Sequence, residues 1–161
     1  ESDIKIQIIL LLVLLFLSGF FSSAETALVS CNKIRMRTLA DQGHKRAKMV
    51  LDITEDQGKM LSAILIGNNL VNTFSASIAA TIAYSFGGAA VSIATFIITF
   101  LILVFGEITP KTWATINADK LALAYAPIIF TFDETISSFA LQVFFISLGN
   151  CLLIRNTNIS I

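Results

Sequence analysis

The segment Gly106-Glu107-Ile108-Thr109-Pro110-Lys111 follows an almost uninterrupted apolar stretch from Ala89 to Phe105. Pro110 has no N–H, so the Gly106 carbonyl loses its α-helical partner, and the proline ring pushes that carbonyl aside. A backbone oxygen and the Glu107 carboxylate are thereby brought together at membrane depth. Oxygens in a low-dielectric setting can form part of a cation site, and an ionisable side chain inside a membrane is a functional-site candidate by default. Two other apolar stretches carry oxygen-bearing side chains: Ser18, Ser22, Ser23, Glu25 and Thr26 in one, Asn68, Asn69 and Asn72 in the other. Positions three or four apart share a helix face, so Ser22 can point with Glu25, and Asn72 with Asn68 or Asn69. Gly67, with no side chain, lets a helix or an ion approach the backbone.

All these groups offer oxygen, and no His or Cys joins them. Hard cations take oxygen ligands, and Mg2+ wants an octahedron of them at about 2.0–2.1 Å, whereas softer metals prefer nitrogen and sulfur. Hydroxyls, amides, one carboxylate and one freed carbonyl approach that number. Sodium takes oxygens too, so ligand chemistry alone does not separate the two ions. A simpler reading competes for each residue taken singly. Serines and asparagines of membrane helices hydrogen-bond neighbouring helices, contributing about 0.6 kcal/mol on average. Glu107, whose placement near a helix centre costs roughly 2.5–3.5 kcal/mol, can pair with Lys111 four residues on. That pairing does not account for Gly106, Pro110 and three asparagines together.

The elements that must position these groups follow from composition. The chain has 161 residues, 55% hydrophobic and only 14% charged, with mean hydropathy +0.80. Soluble domains carry about 25% charged residues, so an all-α membrane protein is expected. The formal net charge is zero, which gives no pull toward nucleic acid. Cys31 and Cys151 are far apart and read as packing residues rather than a disulfide or metal pair. His44 stands alone in a basic segment as a solvated side chain. No nucleophile–base pair is visible, so an enzyme is not expected.

Three spans are predicted, at about 4–30, 60–86 and 89–118, each long enough for a bilayer. The first lacks a strongly basic start and a clear small-residue cleavage site, and reads as a retained helix rather than a signal peptide. The chain opens Glu1-Ser2-Asp3 without an initiator Met, as expected of a processed product or a piece of a longer chain. Ser75, Ala79 and Ala83 form a small-residue stripe that allows close helix packing within or between subunits, and Gly87-Gly88 makes a turn. Residues 33–57 read as amphipathic juxtamembrane helices at the membrane surface, with a solvated hairpin as the competing reading. Residues 121–154 read as further juxtamembrane helices, although 135–154 could span; 155–161 form a tail after a membrane domain covering 1–154. Lysine and arginine accumulate between Cys31 and Met60, which places that loop in the cytosol. The expected topology is N-terminus out and C-terminus in, with Lys111 and Lys120 inside.

Ser22-Ser23-Ala24-Glu25-Thr26-Ala27, Ile66-Gly67-Asn68-Asn69-Leu70-Val71-Asn72 and Gly106-Glu107-Ile108-Thr109-Pro110-Lys111 resemble the three signatures of the cyclin M (CNNM)/CorC membrane domain. They stand in that family's order and at similar separations, over about residues 4–130. The resemblance implies a homodimeric magnesium transporter of the plasma (inner) membrane, exporting Mg2+ against inward Na+. It implies three spanning helices wrapped by a belt of juxtamembrane helices, with an inward-facing ion site between the three. Carried over residue by residue, the ligands are Ser22 or Ser23, Asn68 or Asn69, Asn72, Gly106 and Glu107. Pro110 is then the helix break, and Glu25 a sodium or gating residue. Such proteins continue into a cytosolic pair of CBS domains; nothing here resembles it, so nucleotide regulation is not expected of this chain. The sequence after Phe130, with Asp133-Glu134, departs from the family pattern. The alternative function is a non-transporting, cation-sensing scaffold in the lipid membrane, acting through a cytosolic partner.

Overall fold

The computed structural model describes residues 2–85, 87 and 90–136, and every element among them is helical. Helix α1 (Ser2–Ser30) is followed by two short helices, α2 (Lys33–Asp41) and α3 (Lys45–Glu55), then by α4 (Gln57–Tyr84). Helix α5 (Ala90–Ile102) passes through a π-helical segment, Leu103–Ile108, into α6 (Thr109–Ile116). Residues 118–136 form α7. Among the described residues three helical stretches are long and apolar enough to cross a membrane: Ile4–Ser30, Gln57–Tyr84 and Val91–Ile116. The expectations for 137–154 and for the tail 155–161 lie outside the described residues.

Local sequence accounts for where these helices start. Asn32 caps α2, its side-chain oxygen accepting from the Ile34 and Arg35 N–H groups at 3.0 and 3.1 Å. Asp56 caps α4 by accepting from Lys59 N–H at 3.0 Å. Both residue types are favoured there because the first helical N–H groups lack partners within the helix.

The two halves of the molecule are packed by different means. One end holds a conventional apolar core: Leu28, Met36, Val50, Met60, Ile64 and Ile129 are almost completely buried, joining α1, α2, α3, α4 and α7. Cys31 belongs to this core; burial pushes its thiol up, as suits a packing residue. Beyond this core α1 and α5 present Phe16, Ile93, Phe96 and Phe100 outward, as lipid-facing surfaces do. Helix α4 is the more enclosed, and its Ser75–Ala79–Ala83 stripe is wholly buried inside this one chain. Small residues let the neighbouring backbones close in where lipid gives no hydrophobic drive for helix association.

Helix α7 is clamped at both ends. Asp119 accepts from Asn32 N–H at 2.8 Å and pairs with Arg35 at 3.0 Å. Asp133 is buried and pairs with Lys59 at 3.0 Å. Asp133 thus ties α7 to the start of α4. The more exposed Arg35–Asp119 pair contributes about 0–1 kcal/mol, whereas loss of Lys59 would leave the buried Asp133 charge uncompensated. Between the clamps, Phe132 packs on Phe21 with ring centroids 5.2 Å apart.

Gly67 makes this last contact possible. A Cβ there would lie 2.8 Å from the Phe21 ring and 3.0 Å from Phe132. The glycine admits two aromatic rings, and the close approach expected at that position is made by side chains. Gly67→Ala is expected to destabilise the fold by about 1–3 kcal/mol, as overpacking does. A lower midpoint in thermal unfolding of the purified chain checks this, and an unchanged midpoint would refute it.

Candidate cation site

Near the middle of the three spans the structure brings four oxygens together. Ser18 of α1 donates to Asn72 Oδ1 of α4 at 2.8 Å. The same hydroxyl oxygen lies 3.5 Å from Asn68 Oδ1 and 3.4 Å from the Gly106 carbonyl. Ser18, Asn72 and Gly106 each fall within about two turns of the middle of their span. Ser18 and Asn68 are buried.

A serine hydroxyl has one hydrogen to give, and three acceptor oxygens converge on it. One is served at 2.8 Å; the other two stand at the limit of hydrogen-bond distance. The Asn68 and Asn72 amides carry N–H donors of their own. One helical turn further along the same face of α1, Ser22 is completely buried and its hydroxyl has no hydrogen-bond partner. Hydroxyl, amide and carbonyl oxygens gathered near the middle of the spans are groups that a hard cation can use.

The Gly106 carbonyl is presented by the π-helical segment. Thr109 N–H bonds back to the Val104 carbonyl, five residues earlier. An α-helix would ask Pro110 for an N–H it lacks and drive its ring into the Gly106 carbonyl. Widening the turn by one residue avoids the clash and keeps the chain helical. The expected break at Pro110 is therefore a π turn, a feature frequent at functional sites, with Pro110 opening α6. Gly106 also has to be small: a Cβ would meet Ser18 Oγ at 3.1 Å and Leu15 at 3.2 Å.

Beside the cluster lies a cavity of about 260 Å³ lined by Ser18, Asn72, Ala76, Thr99, Ile102, Leu103 and Glu107. It is large enough for an ion with several waters. Glu107 brings the carboxylate, and its pairing with Lys111 is also present, at 3.7 Å. Lys111 reaches Glu25 of α1 as well, at 3.2 Å. No group of three or more His, Cys, Asp or Glu side chains able to hold a metal occurs among the described residues. A metal here would be held mainly by neutral oxygens.

The other expected residues are placed as follows. Ser23 donates to the Phe20 carbonyl at 3.0 Å and sits 3.3 Å from the Tyr125 hydroxyl, turned to α7 rather than to the cluster. Asn69 is exposed. Asn68, Asn72, Gly106 and Glu107 gather around one region, with Ser22 buried one turn away. Ser18, noted among the oxygen-bearing residues but left out of the ligand set, is the centre of the cluster. Its signal was its spacing, four residues before Ser22 on the same helical face.

Comparison with known proteins agrees with the three quoted motifs. Residues 9–158 match the family described as the Cyclin M transmembrane N-terminal domain. A UPF0053 protein of Haemophilus influenzae is 47% identical over 115 residues, covering 71% of this chain and 27% of that protein. The UPF0053 inner membrane protein YfjD of Escherichia coli is 38% identical over 107 residues, 66% of this chain and 25% of that protein. A polyamine export protein of Escherichia coli is 37% identical over 65 residues, 40% of this chain and 14% of that protein. The chain thus spans about a quarter of the length of its first two relatives.

Ser18→Ala removes the 2.8 Å hydrogen bond to the Asn72 oxygen. It is expected to cost about 1–3 kcal/mol of stability in metal-free buffer, while Asn69→Ala on the exposed face changes stability by less than about 0.5 kcal/mol. Thermal unfolding of both variants in the same detergent checks the contrast, and equal losses would contradict the placement.

Proposed function

The chain belongs to the cyclin M transmembrane-domain family, and from that premise and the geometry above we propose that it carries Mg2+ across the membrane. What supports the reading is the gathering of the Asn68, Asn72 and Gly106 oxygens around the Ser18 hydroxyl, beside the Glu107 carboxylate. Such a set suits a hard cation. The neutral oxygens replace part of the hydration shell, and Glu107 offsets part of the dehydration cost with charge. Ser22, buried without a partner one turn away, gives the ion a next oxygen along α1.

Sites near the midplane, on helices whose regular hydrogen bonding is interrupted, suit alternating access. The π segment supplies that interruption here. With the basic segment 31–60 in the cytosol, the Glu25, Glu107 and Lys111 side of the cluster faces inward. In the proposed cycle Mg2+ enters from there, passes to the midplane oxygens and leaves on the far side, with Na+ moving inward on the same groups. In this reading the protein works in the plasma (inner) membrane as a homodimer, under the control of a cytosolic regulatory domain.

A second reading has a specific observation behind it. Lys111 shows a primary ammonium held by two carboxylates, and one relative is a polyamine export protein. A polyamine would place an ammonium group at those carboxylates. Its several charges need several anionic partners, and the midplane cluster offers neutral oxygens, so Mg2+ fits better. The non-transporting scaffold needs the same oxygens and differs only in flux.

Vesicles reconstituted with the purified chain and loaded with a Mg2+-sensitive dye are expected to show Mg2+ flux that Glu107→Gln and Asn72→Ala reduce at least about tenfold, as loss of a charged or central ligand does. Flux of spermidine without Mg2+ flux would favour the second reading. Mg2+ binding by calorimetry without any flux would favour the scaffold, and full flux in Glu107→Gln would overturn the site.

A further inference from the structure

Lys111 stands one helical turn after Glu107, near the start of α6. Its ammonium lies 3.2 Å from Glu25 Oε2 on α1 and 3.7 Å from Glu107 Oε1. Glu107 lines the cavity beside the Ser18 cluster, and Glu25 does not. All three side chains are half-buried. Among the described residues Lys111 is the cationic partner of both carboxylates. The carboxylate that faces the cavity is therefore neutralised by a cation belonging to the protein itself.

We propose that Lys111 is a tethered competitor for the transported cation, letting go of Glu107 when the ion binds and retaking it when the ion leaves. The inference rests on the reading of Glu107 as an ion ligand given above. Two unit charges at such a distance attract appreciably even at intermediate dielectric, so an incoming cation must displace that attraction to use the carboxylate fully. The displaced ammonium does not have to be left unpaired at membrane depth, where an uncompensated charge is costly. Glu25 is already its nearer partner, and the ammonium can settle wholly on it. Glu25 acts in this scheme as the receiver of Lys111, a positioning residue rather than an ion ligand.

The consequence is a deliberately moderated affinity. The pair Glu25–Glu107 with Lys111 carries one net negative charge, enough to draw a divalent ion without trapping it. Displacement of Lys111 weakens every cation that needs Glu107 by a similar factor. The ammonium, returning to Glu107, then opposes rebinding of a released ion.

The rival account makes Lys111 a clip that holds α6 to α1. It predicts the opposite sign, because removing a clip loosens the site. Calorimetry of the purified chain in lipid nanodiscs at fixed ionic strength, with Mg2+ and separately with Na+, distinguishes them. Lys111→Met is expected to bind both ions about fivefold more tightly, the upper range for a half-exposed ion pair, and Lys111→Arg to bind them like the wild type. Glu25→Gln is expected to weaken Mg2+ binding in the wild type and to weaken it less in the Lys111→Met background, since contacts in one network are not additive. Unchanged or weaker Mg2+ binding in Lys111→Met, or an equal Glu25→Gln loss in both backgrounds, overturns the proposal. Glu107→Gln serves as the reference. If it binds Mg2+ like the wild type, the ion-site reading itself fails; if it loses binding while Lys111→Met binds no tighter, only the role of Lys111 falls.

Discussion

A membrane leaves no water to satisfy a stray backbone group, so each helix crossing it must close its own hydrogen bonds. Pro110 breaks that rule in the third span, and much of the site follows from how the chain recovers. By widening one turn between Leu103 and Ile108, the helix continues across the proline and turns the Gly106 carbonyl toward α1. Gly106 has no side chain to hold α1 off, and Ser18 moves into contact with its oxygen. A substitution at either glycine or proline would therefore alter both the helix and the oxygen cluster.

The rest of the molecule holds that contact in place. Lipid offers no hydrophobic drive between the spans, so the midplane cluster relies on close packing and on polar contacts of modest strength. The stronger constraint comes from one end, where Leu28, Met36, Val50, Met60 and Ile129 form a core like that of a soluble domain. That core fixes the ends of α1 and α4, and α7 is secured to it through Asp119 and Asp133. The arrangement leaves the opposite ends of the spans held mainly by small-residue packing. Motion of the helices is cheaper there than at the core, which is the distribution that opening to alternate sides requires.

The fold was legible in the sequence because its signals are long and additive. Twenty-odd apolar residues cannot be mistaken for a loop, and Asn32 and Asp56 stand where helices begin. The site was legible only in part. Residue types named the chemistry, and the spacing of Asn68 and Asn72 named a shared face. Rotation about each helix axis was not readable, and that rotation turns Ser23 to α7 and Asn69 to the outside while bringing Ser18 inward. A π turn adds a further shift of about 100° per inserted residue relative to an α-helix, which no local propensity announces. The pairing of Lys111 with Glu25 was hidden for the same reason, since it joins positions far apart in the chain whose angles depend on that shift.

The composition of the site bears on what it can do with an ion. A cage of several carboxylates would hold Mg2+ tightly and release it slowly. Neutral hydroxyl, amide and carbonyl oxygens with a single adjoining carboxylate hold it less firmly, and conduction or transport demands binding weak enough to reverse. Glu107 is the one strong anion at the cavity, and Lys111 already moderates it. In the proposed transport reading, neutral oxygens with little net charge bind the ion only moderately, so neither the ion-free nor the ion-bound state lies far below the other. A site balanced in that way has little free energy to lose in either direction, and the small mechanical cost of shifting helices at the loosely packed end becomes comparable with the binding terms themselves.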